Sequence, residues 1–122
     1  FQTVGIHPSV ALRHTKRHAI APGVDLIFFV DDDTWGGADA HGLPSNTLKV
    51  LLAVSDEFIV FGGGQHTAHE LRAFLKAGKR VRFHDAPMHR LTTDRWCRDS
   101  GVRVGDYRGA AYHVWRSERA DA

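Results

Sequence analysis

The chain has 122 residues, enough for one modest domain and too few for two. Hydrophobic residues make up 43% and charged residues 25%, ordinary globular values that exclude wholesale disorder. The formal charge is only +2, which disfavours nucleic acid as a partner, and the single cysteine, Cys97, excludes an internal disulfide and a cysteine-based zinc site.

In chain order, "SVALRHTKRHA" (9–19) predicts a helix, with Pro8 near its start and Pro22-Gly23 beyond its end. "VDLIFFV" (24–30) is a continuous apolar run, which predicts a strand covered on both faces in a parallel sheet. A long loop follows, "DDDTWGGADAHGLPSN" (31–46). Leu48, Leu51 and Leu52 then set a helical spacing over 46–55, with Ser45 or Asn46 as N-cap. "EFIVF" (57–61) predicts a second covered strand. Ala68, Leu71, Phe74 and Leu75 form the apolar stripe of a helix over 66–77, stopped by Gly78. "RVRF" (80–83) alternates as a strand, "TDRWCRDS" (93–100) predicts a short helix before Gly101, and "VRV" (102–104) and "AAYHVW" (110–115) are weaker strand candidates. Strands and helices alternating over short loops predict an α/β fold of three layers with a mostly parallel sheet. The longest apolar run, "LIFFV", is too short to cross a bilayer, no signal peptide is visible, and a lone cysteine fits a reducing cytoplasm.

The chemistry concentrates where strand 57–61 meets the next helix. Gly62, Gly63 and Gly64 permit positive φ and let the backbone approach a ligand closely. The free N–H groups of the following helix's first turn would then face an anion such as phosphate, which the helix dipole favours, and Thr67 could cap that helix or donate its hydroxyl to the phosphate. The alternative is a plain tight turn, with Thr67 and Glu70 at capping-box spacing. His66 and His69 either serve that phosphate or face solvent at the helix start. In the long loop, Asp31 and its neighbours Asp32 and Asp33 either contact a ribose or a cation or form a solvated acidic edge. Trp35 either stacks on a base or packs at the sheet edge. His14 and His18 stand at i, i+4, but Lys16 and Arg17 between them oppose a cation, so no metal or other cofactor is expected.

The stretch "SDEFIVFGGGQHTAHELRAFLKAGKRVRF" resembles the central segment of the SLOG superfamily, which includes the Lonely Guy (LOG) proteins. Those carry an Asp, an apolar strand, then Pro-Gly-Gly-x-Gly-Thr-x-x-Glu, a helix and a further strand after a small residue and Lys. Asp56, Gly63, Gly64, Thr67, Glu70, Gly78 and Lys79 match this pattern, whereas Gly62 replaces the Pro and His66 the third Gly. The resemblance covers Ser55 to Phe83. It implies a Rossmann-like nucleotide-binding fold and a tendency to form homodimers; the family's first strand–loop unit is missing or truncated, so the fold is compact or N-terminally truncated, with "TVGIHPSVALRH" (3–14) either a degenerate first phosphate loop or the helix that follows it. In LOG enzymes the activity is hydrolysis of the N-glycosidic bond of a nucleoside 5′-monophosphate, and Glu70 would there stabilise the developing positive charge. The family's catalytic Arg position holds Thr47; Lys49 is the nearest cation, where the DNA-processing branch places an Arg. The residues expected to act are thus Glu70 and Lys49 in catalysis, and Gly62 to Thr67 with Asp31 and Trp35 in binding a nucleotide or phosphorylated sugar. A non-catalytic nucleotide sensor, favoured by Thr47, and a nucleic-acid-handling domain are the alternatives.

Overall fold

Parallel strand pairing recurs twice along the chain, once in each of two compact units, Phe1–Val54 and Ser55–Ala122. The computed structural model describes residues 1–13 and 23–119.

In the first unit, β1 (Val4–Pro8) pairs in parallel with β2 (Leu26–Val30), in register from Val4 opposite Leu26 to Pro8 opposite Val30. A 3₁₀ turn, Ser9–Arg13, follows β1, and α1 spans Asn46–Val54. The rest of the helix expected over 9–19 lies outside the described residues. The expectation that β2 is covered on both faces is not met: Phe28 is 55% and Leu26 44% exposed. The cause is architectural. β2 bonds only to β1, and α1 packs against that pair, so among the described residues of this unit one helix serves two strands. Ser45 caps α1 as expected, its hydroxyl accepting the Leu48 N–H at 3.2 Å.

The second unit opens with a strand–helix–strand motif. β3 (Glu57–Phe61) and β4 (Arg80–His84) pair in parallel, Glu57 opposite Arg80 and Phe61 opposite His84, joined by α2 (Gln65–Lys76). Two further helices follow, α3 (Arg90–Ser100) and α4 (Gly109–Glu118). Gly78 ends α2 at φ 71°, with the Lys79 N–H returning to the Phe74 carbonyl at 3.0 Å and the Gly78 N–H to that of Leu75. This is the six-to-one closure that glycine makes cheap. The predicted stripe of α2 is the core: Ala68, Leu71 and Phe74 are buried with Val60 of β3 and Ala110, Ala111 and Val114 of α4. Phe58 stacks on Phe74 at 4.4 Å between centroids, and Phe83 on Trp115 at 5.7 Å. β3 is not covered on both faces either, since Phe61 is 70% exposed.

Two expected strands are absent. Residues 110–115 lie inside α4, and 102–104 form an irregular link. The buried positions Ala110, Ala111 and Val114 follow helical spacing, and the paired alanines leave room for α4 to lie close on α2. The result is a mixed α/β protein with parallel strand pairs, in two two-stranded sheets. No helix among the described residues is long and apolar enough to cross a membrane.

Candidate functional site

The glycine turn between β3 and α2 is forced by its surroundings. Gly62 has φ 61° and Gly63 φ 126°, conformations that side chains oppose. A Cβ on Gly63 would lie 2.5 Å from the Thr67 Cβ, and one on Gly62 would lie 3.0 Å from the Ala86 carbonyl oxygen. The turn is pinned from outside as well. The Gly62 N–H bonds to the His84 carbonyl at 2.9 Å, the Gly63 N–H points at the Met88 Sδ at 3.2 Å, and the Gly63 carbonyl accepts the Ala111 N–H at 3.1 Å.

Gly64 then stands as N-cap of α2 in an extended conformation, and no side chain caps the helix. Nothing lies within 4 Å of where its Cβ would be. Among the described residues, the amides of Gln65, His66 and Thr67 have no acceptor; the first N–H of the helix to find one is that of Ala68, on the Gly64 carbonyl at 2.9 Å. The capping-box alternative is therefore corrected. Thr67 is already the third residue of the helix, its side chain pressed on Gly63 rather than turned to the helix end.

A cleft of about 600 Å³ opens at this helix start. It is lined by Gly64, Gln65 and His66, by Met88 and the α4 residues Gly109 and Ala110, and by Thr92, Arg95, Trp96 and Asp99 of α3. The α3 residues were not anticipated as functional. Their signal was present in the spacing: positions 92, 96 and 99 share a face, while Thr93 and Cys97 are buried on the other.

Trp96 also borders a second cleft of about 410 Å³, lined by His69, Arg72, Ser100 and His113. The two histidines flanking Thr67 are thus separated: His66 opens on the first cleft and His69 on the second. Burial, helped by the charges of Arg72 and His66, lowers the His69 pKa. Arg72 is held by Glu118 at 2.6 Å. His113 Nε2 lies 3.1 Å from Asp106 Oδ2, within ion-pair range but out of line for a hydrogen bond. Asp106 is gripped by Arg108 at 2.7 and 2.8 Å, which holds its carboxyl well below the usual range.

Glu70 lines neither cleft. Its half-buried carboxyl has no hydrogen bond or ion pair among the described residues, and burial raises its pKa.

Asp31, Trp35 and Lys49 belong to the first unit. Asp31 is exposed, and its carbonyl accepts the Asn46 Nδ2 at 3.1 Å. Trp35 is 53% exposed, and Lys49 sits on the outer face of α1. The buried acid is the next residue, Asp32, which is 4% exposed. Burial acts to raise its pKa, but hydrogen bonds from Thr47 and Thr34 overcome this and hold it far below the usual range. Asp33 pairs with Arg13 at 2.7 Å. The acidic triplet thus divides into three separate jobs. Among the described residues no group of three or more His, Cys, Asp or Glu could hold a metal ion, and His14 and His18 lie outside those residues.

No family model matches the chain, and no curated protein or solved structure does.

Proposed function

We propose that the second unit binds a nucleoside monophosphate or closely related sugar phosphate, its phosphate on the free amides of Gln65, His66 and Thr67 and its base beside Trp96. The observation that carries this is the uncapped start of α2 opening directly into the first cleft. His66 adds an imidazole beside that helix start, and Met88 and Trp96 supply apolar surface for a base. α1 makes a useful contrast. There Asp32 and Ser45 already take the N–H groups of Thr47 and Leu48.

The reading goes with a Rossmann-like fold of the SLOG kind, in which ligands sit outside the carboxyl ends of parallel strands. The parallel β3–β4 pair, with its glycine turn at the carboxyl end of β3, supports it. Binding without turnover is favoured over N-glycosidic hydrolysis, because Glu70 lines neither cleft.

Calorimetric titration and thermal melts with AMP, GMP and ribose 5-phosphate test the reading. Ligand at a hundredfold excess over Kd should stabilise the fold by about 2.7 kcal/mol. Chromatography for released base tests turnover in the same samples. Absence of any melting shift or heat with all three compounds would overturn the binding site itself.

A further inference from the structure

The wall that α3 presents to the first cleft carries an unusual pair. Arg95 and Asp99 are one helical turn apart, about 6 Å along the axis, and both line the cleft. That spacing would allow an ion pair, yet the two do not pair, and neither has a hydrogen bond or ion pair among the described residues. An i, i+4 Arg and Asp left apart on the wall of a cleft present five donors beside an acceptor-only carboxylate. Trp96 lies between them in sequence and offers a ring to the same space. The cleft therefore has an anion-seeking end at Gly64–His66 and, along α3, a donor–acceptor edge next to an aromatic surface.

We propose that Arg95 and Asp99 read the base of the bound nucleotide and select guanine. This rests on the nucleotide reading above and names the ligand class for that same site. A guanine edge offers the O6 acceptor, the N1–H donor and the N2 amino donor in a row. Arg95 donates to O6, while the two Asp99 oxygens accept from N1 and N2, giving three matched bonds. Adenine in the same pose turns its N6 amino donor on Arg95 and its N1 lone pair on Asp99, so it satisfies neither. Hypoxanthine lacks the amino group and loses one Asp99 contact. Xanthine places a carbonyl oxygen where guanine has its amino group, and that oxygen meets the carboxylate with repulsion.

Calorimetric titration of the 122-residue chain with GMP, IMP, AMP and XMP, repeated on Asp99→Asn, provides the test. A hydrogen bond to a charged group carries roughly tenfold in affinity or more, so GMP should bind about tenfold tighter than IMP, with AMP and XMP weaker still. Asp99→Asn should weaken GMP about tenfold and strengthen XMP, because the Asn amide donates where the carboxylate only accepted. Asp99 is exposed, and a melting curve establishes that the variant folds. Equal binding of GMP and AMP by the unaltered chain would overturn the guanine assignment while leaving nucleotide binding intact. An Asp99→Asn variant that folds and keeps the original ranking would overturn the role of Asp99. Failure of all four nucleotides to bind would overturn both readings together.

Discussion

The carboxylate of Asp32 receives both the backbone N–H of Thr47, at 3.0 Å, and its hydroxyl, at 2.7 Å, in a site buried from water. Its other oxygen accepts the N–H and hydroxyl of Thr34 at 2.8 and 2.7 Å. One acid thereby ties the start of the long loop to the start of α1. Thr47 is occupied in holding the loop.

Asp32→Asn should cost about 2–4 kcal/mol in urea denaturation at pH 7, since it removes a charged acceptor from several buried donors. The folded pKa is depressed, so this contribution is complete above the ordinary carboxylate value of 3.8 and is lost as the pH falls below it. Stability measured from pH 7 to pH 2 should therefore drop more in the unaltered chain than in Asp32→Asn. Equal slopes would show that the carboxylate charge contributes nothing.

Thr47→Arg, which places there the residue that the resemblance to LOG proteins would call for, should unfold the first unit rather than create an enzyme. Thr47 is 4% exposed, and a guanidinium there is both oversized and beside an acid whose partners it displaces. A loss of about 3 kcal/mol or more in denaturation, with no base release, is expected.

Gly63 and Gly64 should respond oppositely to substitution. Gly63→Ala forces a Cβ into Thr67 at a φ that side chains resist, at a cost of about 2–3 kcal/mol. Gly64 has an ordinary φ of −91° and open space around it. Gly64→Asp would cap α2 as Asp32 helps cap α1; the fold should lose nothing or gain a few tenths of a kcal/mol, while nucleotide affinity falls by about tenfold or more. A capped variant that bound nucleotide normally would remove the phosphate from the helix start.

Glu70→Gln should raise stability at pH 7 and leave it unchanged at pH 3. The folded pKa is raised, so the ionised carboxylate opposes folding at and above that pKa, and the penalty vanishes once the group is protonated in both states. Denaturation midpoints at the two pH values decide it. Base release abolished by the same change would instead bring Glu70 into catalysis.

The segment from Glu57 to His84 was readable because its signals agreed: an apolar run, glycines, a 3.6-residue stripe and a closing glycine all imply one strand–helix–strand motif. α4 was not, because the Tyr, Val and Trp of "AAYHVW" favour strand as single residues, and only contact with α2 makes the helix win. Asp32 was hidden for another reason. Three adjacent acids look equivalent in one dimension, and what distinguishes the middle one is a partner fifteen positions away. The α3 wall of the cleft was obscured by charge, as Arg95 and Asp99 read like any solvated helix face until Met88 and α4 enclose the space beside them.

Gly109, at φ 86°, passes so close to the glycine turn that a Cβ there would come within 2.6 Å of the Gly63 carbonyl oxygen, and the Ala111 N–H bonds to that same oxygen. The last helix is thus a keystone for a loop that precedes it by more than forty positions. A fragment cut before α4 would keep both strands and their connecting helix in sequence, yet lose the brace that fixes the loop's curvature. Whatever seats itself on that loop also leans on α4, so slowed amide exchange at Ala111 would register occupancy from behind the binding surface.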